Sequence, residues 1–340
     1  MTYYEDNRDK MTAYSFWMTI LIVIYHLSPH ILELGVYPSN DNVVSLYKNF
    51  FELFGSIALN YFFAASAYKF FISKKINKTK LFKRVKTLLL PYIIWNTLYI
   101  SLYIIQYGTI NLKDVILGYT LTPFDGPMWY ILVLYIFMVL LCRLFNQANN
   151  KVFKIMIIIS SVSAAIFHLY VIKNIIDFPY SFWIERTYRM LPPFLTGMLL
   201  AKSKNSIFSK TRLTWVVSML VILMCIILST IIGDGAITIL LMYICSFLMW
   251  IICPNFKLKY KSLMKKDMFS IYAIHEGIII ITVAMIYKLQ LVFEGVINVF
   301  IFLLLETMFI FVIGLVINYI LKNNRNLDIL LTGGRNERYN

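Results

Sequence analysis

Charge, cysteine and histidine are all scarce in this chain, and each shortage excludes something. Charged residues make up 14% of the 340, and apolar residues make up 60%. Soluble domains carry roughly 25% charged and about 45–50% apolar residues, so a water-soluble enzyme is excluded. The four cysteines, Cys142, Cys225, Cys245 and Cys253, lie in or at the ends of apolar runs, with no Cys-x-x-Cys or Cys/His spacing. A disulfide framework is therefore excluded, no metal site is expected, and the thiols read as small core residues. There is no internal repeat, low-complexity tract or glycine-rich phosphate loop. Met1–Lys10 mixes charges of both signs, unlike the basic start and apolar core of a cleavable signal peptide.

What is present is a succession of apolar runs. About 20 such residues cross a bilayer. By that measure ten spans are expected, near 13–33, 49–72, 87–106, 128–146, 154–172, 187–202, 214–232, 236–253, 268–288 and 296–321. The sixth is short and holds Pro192-Pro193. The fold class is all-α, a polytopic membrane helix bundle over 1–322 with a polar tail over 323–340.

Lysine and arginine alternate along this pattern. Lys74–Lys86, after span two, holds seven basic residues, and further Lys/Arg groups follow spans four, six, eight and ten. Loops 34–47 and 233–235 have none, and 107–127 has only Lys113. The positive-inside rule then puts both termini in the cytoplasm of a multi-pass cell-membrane protein. It also accounts for the formal charge of +15 as a topogenic signal facing anionic membrane lipids, so no nucleic-acid partner is expected.

Against this background the polar groups inside spans stand out. His26 lies in the first span, Ala13–His30. A charged group at mid-membrane costs roughly 2.5–3.5 kcal/mol by insertion scales, so such groups usually line a protein cavity with a partner. His275 and Glu276 are adjacent in span nine, although neighbours in sequence do not face each other on a helix. His168 in span five and His30 at the end of span one read equally well as packing or interfacial residues. Asn60, Asn96, Glu306 and Asn318 read as helix-bridging groups or, for Glu306, a proton-relay member. Glu185, Arg186 and Arg189 cluster with Trp183 where an outside loop enters span six, and Trp129 begins span four after Gly126-Pro127.

Taken in order, ILIVIYH, KRVKTLLLPYIIWN, GPMWYILVLY, RMLPPFLTGMLLAK and SIYAIHEGIII resemble the acyltransferase 3 family of membrane acyltransferases, which includes polysaccharide O-acetyltransferases. The likeness covers most of residues 8–320. It implies transfer of an acyl group, commonly acetyl, from cytoplasmic acetyl-CoA or another acyl-CoA to a sugar hydroxyl of an envelope glycan, with no metal. His26 would be the general base, with His275 a second catalytic candidate. Arg186, Arg189 or Trp129 would serve the oxyanion, Trp129 and Glu185 would touch substrate, and Lys83, Arg84 and Lys86 would hold the CoA phosphates. Two positions depart from the family pattern: Ser15 stands where a basic residue is usual, and Thr87 replaces the second basic residue of an R-x-x-R pattern. Two other classes fit the same composition. One is an exporter of a glycan or lipid-linked sugar. The other is a catalytically lapsed subunit working with glycan-synthesis proteins.

Overall fold

The computed structural model describes residues 3–33, 41–72, 78–120, 122–124, 126–170, 180–203, 212–233, 235–252, 268–289 and 296–334. Cys253 and part of the Lys/Arg groups that follow the spans, including Lys257–Lys266, Arg335 and Arg338, lie outside these residues, as do Lys173 and Asp177. Among the described residues every regular element is helical. The helices are α1 (Tyr3–Glu33), α2 (Asp41–Phe71), α3 (Lys78–Arg84), α4 (Leu90–Tyr107), α5 (Leu112–Thr120), α6 (Trp129–Leu140), α7 (Cys142–Gln147) and α8 (Asn150–Tyr170). They continue with α9 (Tyr180–Ser203), α10 (Arg212–Ile232), α11 (Ala236–Ile252), α12 (Phe269–Leu289), α13 (Val296–Lys322) and α14 (Arg325–Thr332).

Each expected span falls on one of these helices, the third on α4 and the fourth on α6 and α7. Five described stretches are long and apolar enough to cross a bilayer: Asn49–Phe71, Thr79–Ile105, Asn150–His168, Phe269–Ile286 and Ile301–Lys322. Gly126–Leu140, Val216–Ile232 and Ala236–Trp250 are shorter apolar helices. Their outward faces are greasy: Leu102 and Ile105 on α4, Ile158 and Ile159 on α8, Met224 and Ile231 on α10, and Leu304 and Met308 on α13 are exposed. That much exposed apolar surface suits lipid rather than water. The protein is an all-α membrane helix bundle.

Helix α2 runs through its centre, packed on α1, α9, α10 and α11. The closest approach is to α9 at Gly197, where an added Cβ would sit 2.1 Å from the Ala64 carbonyl oxygen and 2.9 Å from the Ala67 Cβ. Small residues let two membrane helices meet backbone to backbone. Around this crossing Phe71 and Phe137 pack on Phe194, with ring centroids 6.0 and 5.2 Å away.

Two of the prolines inside helices, Pro29 and Pro193, are accommodated by specific partners, as lipid requires. Pro193 cannot donate to Arg189 O four residues back, and the Tyr243 hydroxyl donates to it instead at 2.8 Å. Pro29 leaves Tyr25 O in the same position, and Ser28 Oγ donates there at 2.8 Å. Before Pro91 the chain widens into a π turn, Val85–Leu89, whose closing bond runs from Leu90 N–H to Val85 O. Pairing across helices follows the expectation for asparagine at Asn318, whose Oδ1 accepts from Ser270 Oγ at 2.6 Å.

Three helices have no counterpart among the expected spans. Two are α3 and α5. The third, α14, lies within the stretch read as a polar tail and is docked: Asn324 caps it by accepting from Leu327 N–H, and Trp95 Nε1 donates to Leu331 O at 3.0 Å. Gly333 ends it at φ 73°, and a Cβ there would meet the Thr87 Cα at 2.6 Å.

Candidate active site

At one end of the bundle the helices part around a cavity of about 300 Å³. Its wall includes His26 of α1, Ser56 of α2, Trp129 of α6, His168 of α8, Tyr272 of α12, and Glu185, Arg186 and Arg189 of α9.

On one side His26 Nδ1 lies 3.3 Å from Glu276 Oε2, both side chains partly buried. Glu276 Oε2 has no aligned hydrogen bond, so this is an ion-pair distance rather than a closed bond. The His275 ring packs edge-on to His26 with centroids 4.9 Å apart. His275 is wholly buried, and its Nδ1 lies 2.6 Å from Tyr272 O. A carbonyl only accepts, so Nδ1 carries the hydrogen and Nε2 the lone pair. His275 Nε2 has no hydrogen-bond partner.

The turn of α12 that carries this pair is held from outside. The Tyr99 hydroxyl of α4 accepts from Gly277 N–H at 2.9 Å and donates to Ala273 O at 3.4 Å. An inserted hydroxyl thus bridges the step where the helix would close its own 277-to-273 bond, a recognised cause of local helix distortion. Tyr272 Oη donates to Pro127 O and ties the same turn to the start of α6.

Helix α1 is set by a glycine. A Cβ on Gly55 would lie 2.5 Å from Tyr25 Cγ, the rigid base of the ring beside His26. Gly55→Val is expected to displace Tyr25 and with it His26, lowering turnover at least tenfold while the protein still purifies as a monodisperse species. Unchanged turnover would show that the Gly55–Tyr25 contact does not set the position of His26.

On the other side, His168 Nδ1 and Glu185 Oε1 are 2.5 Å apart. The same Oε1 lies 3.7 Å from Arg189 Nη1, one helical turn along, and Arg189 Nη2 donates to Ser56 Oγ at 3.4 Å. The Arg186 guanidinium stands 4.9 Å from the Trp129 ring centroid, a cation–π arrangement. Of the residues singled out in the sequence, His26, Trp129, Glu185, Arg186 and Arg189 share this one cavity, and His275 adjoins it through His26.

Lys83, Arg84 and Lys86 do not. Lys83 and Lys86 are exposed, and Arg84 stands 5.6 Å from the Phe70 ring centroid. Phe70 is fourteen residues beyond Ser56 on α2, about 21 Å at 1.5 Å per residue. Beside it the Lys80 ammonium donates to Phe70 O, capping α2. Ser15 is also remote from the cavity: it donates to Met11 O at 2.8 Å within α1, about 16 Å along the helix from His26. The partner of His26 is Glu276. Sequence reasoning gave no role to Glu276, Ser56 or Tyr99. Only Glu276, as an acidic residue in an apolar span, carried a signal that pointed to one.

A histidine backed by a carboxylate, with two guanidiniums on the same internal cavity, has the groups to take a proton and to hold a developing negative charge. The family profile described as Acyltransferase domain matches residues 16–332. The chain belongs to this acyltransferase 3 family and is a membrane acyltransferase. No curated protein and no solved structure gives a significant match.

Proposed function

We propose that the protein transfers an acyl group, acetyl in the simplest case, from cytoplasmic acyl-CoA to a sugar hydroxyl of a cell-envelope or exported polysaccharide. The observation that supports this most is the His26–Glu276 pair on a cavity shared with Arg186 and Arg189. A sugar hydroxyl is a poor nucleophile, and a positioned base typically contributes about 10²–10⁴-fold. His26 takes the hydroxyl proton, and the Glu276 carboxylate stabilises the imidazolium that forms. The oxygen attacks the acyl carbon, and the guanidiniums of Arg189 and Arg186 receive the oxyanion. Collapse breaks the C–S bond, and the departing CoA thiolate takes the proton from His26 and leaves as the thiol.

The charge pattern supports the direction of travel. Most of the helix ends that build the cavity border Lys/Arg-poor loops, which supports a position toward the outer face. Lys83, Arg84 and Lys86 lie at the cytoplasmic end, where they would meet the phosphates of CoA as point charges. The donor is held at one face and the acceptor at the other.

The test uses purified protein in proteoliposomes with acetyl-CoA labelled in the acetyl group and the host's surface glycan as acceptor. The expected product is label bound to glycan and released by mild base, as an ester. Movement of unlabelled glycan or lipid-linked sugar across the bilayer with no ester formed would replace this reading with export.

A further inference from the structure

The histidine–carboxylate cluster offers more than a base. We infer that His26, His275 and Glu276 together form a binding site for a divalent ion of the zinc class, and that its occupancy switches off acyl transfer. The inhibitory half rests on the base role of His26 proposed above. One donor atom from each residue lies within 4.8 Å of the other two. The 3.3 Å between His26 Nδ1 and Glu276 Oε2 is about the edge of a tetrahedron with metal–ligand bonds near 2.0–2.1 Å.

His275 supplies the independent observation. It is 0% exposed, and its Nε2 has no hydrogen-bond partner. Its Nδ1–H is anchored on Tyr272 O, the arrangement by which metal-binding histidines are usually oriented. A buried imidazole nitrogen left bare costs free energy in an apolar bundle, and a bound ion removes that cost. Closing the third donor onto the ion needs a shift of about an ångström, within reach of a rotation of the partly exposed His26 ring.

The donor set selects the ion. Two imidazoles and one carboxylate suit Zn²⁺, Cu²⁺ or Ni²⁺, whereas Mg²⁺ and Ca²⁺ favour all-oxygen shells. The surroundings keep the binding reversible. Glu276 neutralises only one of the two positive charges, and Arg186 and Arg189 line the same cavity, with Glu185 beside Arg189 offsetting part of their charge. Occupancy inhibits because a metal on His26 Nδ1 leaves the ring hydrogen on Nε2, so the imidazole has no lone pair left to take the hydroxyl proton.

The experiment uses the full chain, purified in detergent, freed of any affinity tag and stripped with EDTA. Zn²⁺ is titrated against a chromophoric chelator, with Mg²⁺ as the control. One Zn²⁺ per chain is expected, and His275→Ala and Glu276→Gln should each weaken it at least tenfold. Size-exclusion profiles confirm that both variants are folded. Labelled acetyl transfer should fall along the same Zn²⁺ curve and return when EDTA is added. No stoichiometric Zn²⁺, or affinity unchanged in either folded variant, overturns the site. Transfer that stays constant at saturating Zn²⁺ overturns the inhibition. The titration needs no acyl substrate, so it stands or falls separately from the acyltransferase reading. If Zn²⁺ binds as expected but the protein transfers no acyl group, the proposed reaction and the inhibition fall together and the metal site stands.

Discussion

His26→Gln is expected to lower the acyl-transfer rate at least 100-fold with the Michaelis constants for donor and acceptor nearly unchanged. Glutamine keeps the size of the side chain and one hydrogen-bonding group but cannot accept the proton of an attacking hydroxyl. Removing a general base typically forfeits about 10²–10⁴-fold. Glu276 lies 3.3 Å behind the imidazole and supports its charged form, so Glu276→Gln should produce a smaller loss, about 10–100-fold, again in turnover. Initial rates with labelled acetyl-CoA at matched amounts of reconstituted protein decide the matter. A wild-type rate for His26→Gln would remove it from the chemistry, and a larger effect at Glu276 than at His26 would reverse their roles.

The largest structural effect is expected from Gly197→Val. Even a single added carbon there would lie 2.1 Å from Ala64 O and 2.8 Å from its carbonyl carbon. Those atoms belong to the backbone of α2, so no side-chain rotation relieves the overlap and the two helices must separate. Overpacking in a well-filled interior costs about 1–3 kcal/mol when side chains can adjust, and the cost here should exceed that because they cannot. The expected result is loss of the monodisperse peak in detergent, or a large fall in thermal midpoint if some folded protein remains. Gly235→Ala is the matched control, because nothing lies within 4 Å of a Cβ at that position. Equal midpoints for Gly197→Val and the wild type would show that α2 and α9 do not cross at Gly197.

The spans were legible in the sequence because hydropathy is a property of each segment alone. The ten expected runs fall on helices, including Tyr180–Ser203, where Pro192-Pro193 had suggested a weak span. What hydropathy could not supply was the Tyr243 hydroxyl that receives the freed carbonyl of Arg189, because Tyr243 comes from another helix fifty-four residues away. Helix α14 was missed for the opposite reason: Arg325–Thr332 is too short and too polar to read as a span, and its docking on Trp95 is a tertiary fact. At the site, His26 was conspicuous as a polar group inside a span, and Arg186, Arg189, Trp129 and Glu185 as polar or aromatic groups at span ends. Their convergence on one cavity was not conspicuous. The family pattern drew attention to position 15, on the same helix as His26, whereas the structure supplies the partner, Glu276, from 250 positions downstream. Pairing of this kind leaves no local trace in the chain.

The Tyr99 hydroxyl has a mechanical consequence. It splices a rung of α12, so α4 and α12 share two hydrogen bonds at the turn that bears His275 and Glu276. Helix α4 follows the cationic stretch Lys83–Lys86 through the π turn Val85–Leu89, and about 20 Å of helix separates Lys86 from Tyr99. Any sliding of α4 along its axis must therefore either break those bonds or drag the Glu276 turn with it. One helix therefore connects the basic end of the bundle to the turn that carries the carboxylate behind His26.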